Sequence, residues 1–181
     1  QLALKNEREN YADPNTTIRT REKEIAELKT SIVQAEQDKV RAYRDFLNAD
    51  IGAEPGDNQT TDKVRPTISG LYSGTISGVY RIEVYSSGAA SGYSYRVSGL
   101  ESDTESIYVG TATDLGTRGL KILFSNTVRG GDVWIVAVPN TYSSEYIQNK
   151  EDYDTEIIDI EEAIAGYRVD IANKEKEVKD I

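Results

Sequence analysis

The chain has 181 residues, 38% hydrophobic and 29% charged, with a formal net charge of -10 and no cysteine, histidine or methionine. The missing cysteine and histidine exclude disulfide frameworks, thiol nucleophiles, Ser-His-Asp triads and the usual zinc sites, and we expect no cofactor. Residues 142–181 hold twelve Asp/Glu and five Lys/Arg, a net charge of -7, which disfavours nucleic acid as a partner. No apolar run reaches the roughly 18 residues that a membrane-spanning helix requires.

Residues 1–50 are predicted to form an N-terminal coiled-coil arm. Asp13-Pro14 interrupts the helical pattern, and Asp13 followed by Pro14 is also a favourable start for a new helix. From Thr16 to about Asp50, apolar residues recur at alternating spacings of three and four, the pattern of a coiled-coil seam. The residues of this seam are Ile18, Arg21, Ile25, Leu28, Ile32, Ala35, Lys39, Ala42 and Phe46. A thinner stripe at sevenfold spacing consists of Val33, Val40 and Leu47.

Residues 51–65 are rich in turn-forming residues without periodicity, which predicts a linker. Residues 66–141 shift to Gly, Ser, Thr, Tyr and Val with twofold alternation, which predicts a small antiparallel β-sandwich module. The candidate strands are residues 68–72, 79–85, 93–97, 106–109, 119–124 and 133–138. The last of these is apolar on both faces, which predicts a central strand with Trp134 in the core.

Residues 142–181 are predicted to form a C-terminal coiled-coil helix, preceded by residues suited to a helix N-cap. Its seam runs without interruption over five heptads. The seam residues are Tyr146, Lys150, Tyr153, Ile157, Ile160, Ile164, Tyr167, Ile171, Lys174, Val178 and Ile181. Such a stripe cannot be buried within one helix, so it requires a partner helix along its whole length.

Two arrangements satisfy the two seams. In the first, the helices form one antiparallel hairpin with the β module at its tip, and pairing Phe46 with Tyr146 then places Lys174 beside Ile18. In the second, each helix pairs with copies of itself in a parallel homodimer or homotrimer. Nearly equal helix lengths favour the hairpin. The predicted fold class is therefore α+β, with a long helical hairpin and an inserted small antiparallel β-sandwich.

Three short segments of the β module occur in a familiar order. They are residues 80–84 (YRIEV), 119–124 (GLKILF) and 131–136 (GDVWIV). Together they resemble a small β module of bacteriophage virion and tail structural proteins and of large bacterial surface proteins. They resemble more loosely the central β domains of flagellar hook-associated proteins. The resemblance covers the β module only, and it implies a virion or extracellular structural protein with no catalytic residues.

Tyrosine is abundant, with 12 residues in the chain. Those of the β module are candidate binding residues for a carbohydrate or a protein surface. They are Tyr72, Tyr80, Tyr85, Tyr93, Tyr95 and Tyr108. Tyrosine is also common in half-buried strands, so a role in the core is the alternative.

Acidic residues suggest weaker candidates for metal binding and catalysis. Asp57, Asn58 and Asp62 are weak calcium candidates, but they lack the spacing of an EF-hand loop, and we assign no metal site. The acidic residues of the last helix are expected to form a solvated face, with calcium or a basic partner as the alternative. Three further carboxylates, Glu101, Asp103 and Glu105, occupy every second position of the chain. Two of them could form an acid–base pair for glycoside cleavage. Loops of small β domains often carry such clusters, so we do not expect an enzyme.

These patterns together predict a non-enzymatic structural or interaction protein that presents a β module on a coiled-coil stalk. The first interpretation is a phage virion component, such as a tail, neck or head fibre. The alternative is a bacterial cell-surface adhesion module that binds a surface receptor, a protein or a glycan. The expected location is the virion or the cell exterior. The expected partners are other proteins of a larger assembly or copies of the chain itself.

Overall fold

The computed structural model describes residues 13–57, 63–89 and 91–181. These residues form an α+β fold, with two long helices and two small antiparallel sheets. The helices are α1 (Pro14–Asn48) and α2 (Tyr146–Lys179). The strands between them are β1 (Glu54–Pro55), β2 (Thr67–Gly70), β3 (Gly78–Ser86), β4 (Tyr93–Gly99), β5 (Asp103–Ser106), β6 (Thr113–Leu115), β7 (Leu120–Leu123) and β8 (Val133–Val138).

Helix α1 begins at the predicted cap. The backbone N–H groups of Thr16 and Thr17 donate to the carbonyl oxygen of Asp13, at 2.8 and 3.1 Å. The backbone N–H of Asn15 donates to Asp13 Oδ1 at 3.2 Å. Asp13 thus satisfies donors that have no partner within the helix. The earlier part of the predicted arm, residues 1–12, lies outside the described residues.

Helix α2 begins after a serine cap. Ser143 Oγ accepts the backbone N–H of Glu145 at 3.1 Å, and the Ser143 carbonyl accepts that of Tyr146 at 3.2 Å. Lys176 and Lys179 lie in the last turn, where positive charge interacts favourably with the helix dipole. Both ends of α2 therefore follow from local sequence.

The chain divides into two compact units, each of which is described by itself. Among the described residues, the first unit comprises 13–41 and 154–181, and the second comprises 42–153. Both boundaries fall inside the helices. The last turns of α1 and the first turns of α2 therefore belong with the strands, whereas the sequence divided the chain at the helix ends.

In the first unit, the predicted seam positions are the less exposed positions of both helices. Ile25, Ala35 and Ile164 are buried. The other seam residues of this unit are half-buried, apart from the terminal Ile181. A 3.5-residue apolar period thus correctly predicts which side of each helix is shielded from water.

Seam lysines of the first unit contact carboxylates. Lys39 Nζ lies 2.8 Å from Glu161 Oε1, and Lys174 Nζ lies 2.6 Å from Glu24 Oε2. The predicted pairing of Phe46 with Tyr146 is present, with ring centroids 6.2 Å apart, but the predicted placement of Lys174 beside Ile18 is wrong. The physical reason is charge, because an ammonium group at a half-buried seam is costly unless a carboxylate reaches it.

Glu24 is shared between two cations. Arg21 Nη1 donates to Glu24 Oε2 at 2.8 Å, and Arg21 Nε lies 2.7 Å from Glu177. The hydrogen bond from Lys174, followed by that from Arg21, lowers the pKa of Glu24 below its usual value. Charged groups of both helices therefore meet along this side of the seam.

The second unit contains both sheets. The five-stranded sheet has the order β1-β8-β3-β4-β5, the three-stranded sheet has the order β2-β7-β6, and all pairs are antiparallel. Strand β8 lies between two neighbours and Trp134 is buried, as its apolar sequence predicted. In β3, Tyr80, Ile82 and Val84 are buried, as expected of alternating side chains.

The strand predictions are wrong in two places. Of residues 106–109, only Ser106 lies in a strand, as the last residue of β5, and the next strand, β6, begins at Thr113. Residues 51–65 are not wholly a linker, because Ala53 is buried and Glu54 begins β1, which pairs with β8. Such short strands form only because a distant strand supplies their hydrogen-bond partners.

One hydrophobic cluster includes buried residues of both sheets and of α1. Leu47 of α1 is fully buried in this cluster, whereas Val33 and Val40 of the same predicted stripe are exposed. Next to Leu47, Asn48 Oδ1 accepts the backbone N–H of Tyr72 at 2.6 Å, and its Nδ2 donates to the Tyr72 carbonyl at 3.0 Å. The end of α1 is therefore part of the core of the second unit.

Candidate functional site

The six candidate tyrosines do not share one environment. Tyr72, Tyr80 and Tyr95 are fully buried, Tyr85 and Tyr93 are half-buried, and Tyr108 is exposed. The buried hydroxyls have partners within the protein, such as the Ile76 carbonyl for Tyr72 at 2.8 Å. The three buried tyrosines are core residues and cannot contribute to a binding surface. For the other three, a role in binding stays a prediction.

An open groove of about 250 Å³ lies beside Tyr85. Strand alternation places Glu83 and Tyr85 on one face of β3, and the β3–β4 register sets Arg96 opposite Glu83. The guanidinium carbon of Arg96 lies 5.8 Å from the centroid of the Tyr85 ring, within cation–π range. The groove thus combines an aromatic face, a cation and a carboxylate, a set that suits a polar ligand with a flat apolar side.

Asp132 lines the same groove, but its side chain is buried. Lys63 Nζ donates to Asp132 Oδ1, and the backbone N–H of Arg129 donates to Asp132 Oδ2 at 2.9 Å. The backbone N–H of Asp132 in turn donates to the Arg129 carbonyl at 3.2 Å. Asp132 is therefore a turn residue whose side chain and backbone both bond to Arg129.

A second group of polar side chains, which the sequence did not predict, surrounds Glu101. Tyr80 Oη donates to Glu101 Oε2 at 2.8 Å, and Thr117 donates its hydroxyl at 2.5 Å and its backbone N–H at 3.1 Å to Oε1. Arg118 Nε lies 3.8 Å from Glu101, and Arg118 Nη1 donates to Tyr72 Oη at 3.0 Å. These five residues are called the Glu101 network below.

The Glu101 network has shifted pKa values. Burial acts to raise the pKa of Glu101, but the hydrogen bonds from Thr117 and Tyr80 outweigh it and hold that pKa below its usual value. Burial, and then the hydrogen bond to Glu101, raise the pKa of Tyr80. The hydrogen bond with Tyr72 raises the pKa of Arg118. Perturbed pKa values often mark functional sites, but here the causes are burial and contacts within the network. These contacts hold three loops together.

The remaining acidic candidates show no metal site. Asp57 is exposed, whereas Asn58 and Asp62 lie outside the described residues. Within the described ranges, no group of three or more acidic residues is arranged to hold a metal ion. Of the proposed acid–base carboxylates, Glu101 is held by its network, and Asp103 and Glu105 lie on the edge strand β5. The acidic residues of α2 between 151 and 162 are exposed.

The composition of the two helices shows whether either of them could span a membrane. In the described part of the chain, neither α1 nor α2 has the length and apolarity needed to cross a bilayer.

Comparison with known proteins adds no relatives, since no family model, curated protein or solved structure matches the chain. The part of the chain that the structure describes belongs to the α+β class, with two long helices and two small antiparallel sheets.

Proposed function

We propose that this chain is a non-enzymatic structural protein in which two helices form an antiparallel coiled-coil stalk that carries a small β-sandwich. We further propose that it serves in a phage virion, as part of a tail, neck or head fibre. The observation that carries the proposal is the set of contacts between the helices of the first unit. Long helices with a continuous seam are typical of structural proteins, because paired helices form extended, rigid spacers. Such a role does not require a binding pocket.

The ion pairs support an antiparallel stalk. Glu24 contacts Lys174 and Lys39 contacts Glu161, so residue numbers rise along α1 while they fall along α2. A parallel pairing of two different helices would require both numbers to rise together. Contacts within one chain of this kind favour the hairpin over helices paired with copies of themselves.

Support for the β-sandwich comes from its core. Residues of both sheets belong to one hydrophobic cluster, as expected when two sheets pack face to face. The three segments that resemble phage and surface proteins lie in β3, β7 and β8 with their flanking residues. Tyr80, Ile122 and Trp134, one from each segment, are buried in that cluster. The resemblance therefore concerns residues that determine the core.

Cross-linking tests the antiparallel stalk. Because the natural sequence contains no cysteine, only the introduced cysteines can react with a maleimide. The double variant Lys39→Cys/Glu161→Cys, treated with a short bismaleimide at high dilution, is expected to form an internal cross-link. The control Lys39→Cys/Glu177→Cys should not, because Glu177 contacts Arg21, 18 residues from position 39 and roughly 27 Å along a helix. Mass spectrometry of the digested protein identifies the linked peptides. Exclusive cross-linking between chains would contradict the hairpin.

The virion role is tested on particles and cells from the culture that produces the protein. Antibodies against the chain, detected by immunogold electron microscopy, are expected to label purified phage particles at the tail, neck or head fibres. Labelling of the bacterial surface alone would support the adhesion module instead. Labelling of neither structure would contradict both roles.

The groove beside Tyr85 favours a second candidate function, binding of a glycan or protein at the cell surface. Aromatic faces stack on the apolar side of a sugar ring, and Arg96 and Glu83 supply hydrogen bonds beside it. We expect Tyr85→Ala to abolish signals on a glycan array that the parent protein shows. The control Tyr142→Ala removes an exposed tyrosine that does not line this groove and should change nothing. An array without any parent signal would remove the glycan proposal.

A further inference from the structure

One face of the first unit exposes aliphatic side chains. Val33, Val40 and Ile158 are each more than half exposed, with Val33 at 58%. Each directly follows a seam residue in its heptad, and in an antiparallel pair these positions lie on the same side of the seam. Three exposed alanines have equivalent heptad positions. The resulting apolar stripe consists of Ala26, Val33, Val40, Ile158, Ala165 and Ala172.

Charged residues lie between this stripe and the seam, in bands of alternating sign. The register of the ion pair between Glu24 and Lys174 brings Lys29 of α1 level with Arg168 of α2. By the same register, like charges also meet one heptad away on either side. These negative bands are Glu22 with Glu175, and Glu36 with Glu161.

Of the six band charges, only Glu161 is neutralised among the described residues, by Lys39 at 2.8 Å. Over the residues that the structure describes, none of the five charges Glu22, Lys29, Glu36, Arg168 and Glu175 makes an ion pair. Like charges at one level repel one another. An apolar stripe flanked by repelling bands favours a partner whose charges have the opposite order.

The other side of the seam differs in character. Its exposed and half-exposed positions carry eight acidic residues and the single cation Arg41. The acidic residues are Glu24, Glu27, Asp38, Glu156, Asp159, Asp170, Glu177 and Asp180. Glu24, Glu27, Asp38 and Glu177 pair with cations, but the other four carboxylates leave this side with a negative excess. A surface with such an excess repels a copy of itself and remains hydrated. Only the face with the apolar stripe is therefore suited to a second copy.

We infer that two copies of this chain pack these faces together about a twofold axis perpendicular to the helices, forming a four-helix bundle. This inference rests on the proposed antiparallel stalk. With the axis midway between Lys29 and Glu36, α1 lies antiparallel to α1 of the second copy. Lys29 then faces Glu36 of the second copy, and Arg168 faces Glu161 of the second copy. An axis parallel to the helices would instead set Lys29 against Arg168 of the second copy, and the repulsion excludes it.

The same axis matches side-chain sizes. Val40 meets Ala26 of the second copy, Ile158 meets Ala172 of the second copy, and Val33 lies near the axis. Large side chains opposite small ones allow two helices to approach closely. The face measures roughly 40 Å by 20 Å from helix length and diameter, or about 800 Å² per copy, the usual size of a specific interface. The area is therefore sufficient for a stable dimer.

Analytical ultracentrifugation of the full chain tests the inference through charge reversal. The parent chain of 20.1 kDa is expected to sediment as a dimer. Lys29→Glu alone and Glu36→Lys alone each create two repulsive contacts in a homodimer and should weaken it about tenfold. Mixing the two variants restores opposite charges at both contacts, so they are expected to form a heterodimer with the parent affinity.

Two further variants separate the interface from the fold. Val33→Asp should abolish the dimer, whereas Val169→Asp, at a residue 60% exposed on the outermost position of α2, should leave it intact. A monomeric parent chain, or a dimer insensitive to Val33→Asp and to charge reversal, would overturn the inference. Retention of the internal cross-link between positions 39 and 161 in such a monomer would show that the stalk itself is sound.

Discussion

Leu47→Ala is expected to lower the free energy of unfolding of the second unit by about 3 kcal/mol, within the range for buried leucines. Leu47 is 0% exposed and belongs to the cluster shared by both sheets. The loss combines the transfer free energy of the missing carbon atoms with the cavity they leave. Urea unfolding followed by the fluorescence of Trp134, the single tryptophan, measures this effect inside the same core.

A matched control uses the same substitution on the surface. Leu71 is 75% exposed, so Leu71→Ala should change the free energy of unfolding by less than about 0.5 kcal/mol. Equal losses for the two variants would show that Leu47 is not part of the core. In that case the second unit would begin after α1, and no part of this helix would belong to its core.

Glu101→Ala is expected to destabilise the second unit by about 2 to 3 kcal/mol. The substitution leaves Tyr80 Oη and the Thr117 donors without their acceptor and removes the carboxylate beside Arg118. The control Glu105→Ala deletes a carboxylate that is exposed to solvent on the edge strand β5. It should change the free energy of unfolding little. The comparison is made by urea unfolding at pH 7.

The pH dependence distinguishes the charge of Glu101 from its shape. Its folded-state pKa is lowered, so the carboxylate contributes its full stability above the ordinary pKa of 4.5 and loses it as pH falls through the folded value. Glu101→Gln keeps the size of the side chain but cannot titrate. We expect this variant to lose less stability than the parent as pH falls below the ordinary pKa of 4.5. Identical acid profiles would contradict the assigned role.

The opposite sign applies at alkaline pH. Burial raises the pKa of Tyr95 to about 12. The neutral phenol therefore contributes stability that is complete below its ordinary pKa of 10.0 and is lost as pH rises towards 12. Burial and the hydrogen bond to Glu101 also raise the pKa of Tyr80. We therefore expect the second unit to lose stability at low pH through Glu101 and at high pH through Tyr95 and Tyr80.

The candidate site was only partly predictable. Tyrosine has an apolar ring and a polar hydroxyl, so the same alternating pattern fits Tyr80 in the core and Tyr85 at a groove. The sequence grouped Glu101 with Asp103 and Glu105 as an acid–base candidate, but in the structure its partners include a turn near residue 117 that is distant in sequence. The groove itself requires the register that sets Arg96 beside Tyr85.

Local patterns by themselves determined the helices, their caps and the shielded side of each seam, because a 3.5-residue period and an Asp-Pro cap act within a few turns. They also determined the alternation in β3 and the buried position of Trp134. Only the tertiary structure decided that Leu47 is core while Val40 is exposed, and that Lys174 contacts Glu24. Both outcomes depend on partners far away in the chain, and periodicity specifies a face of a helix without specifying what that face meets.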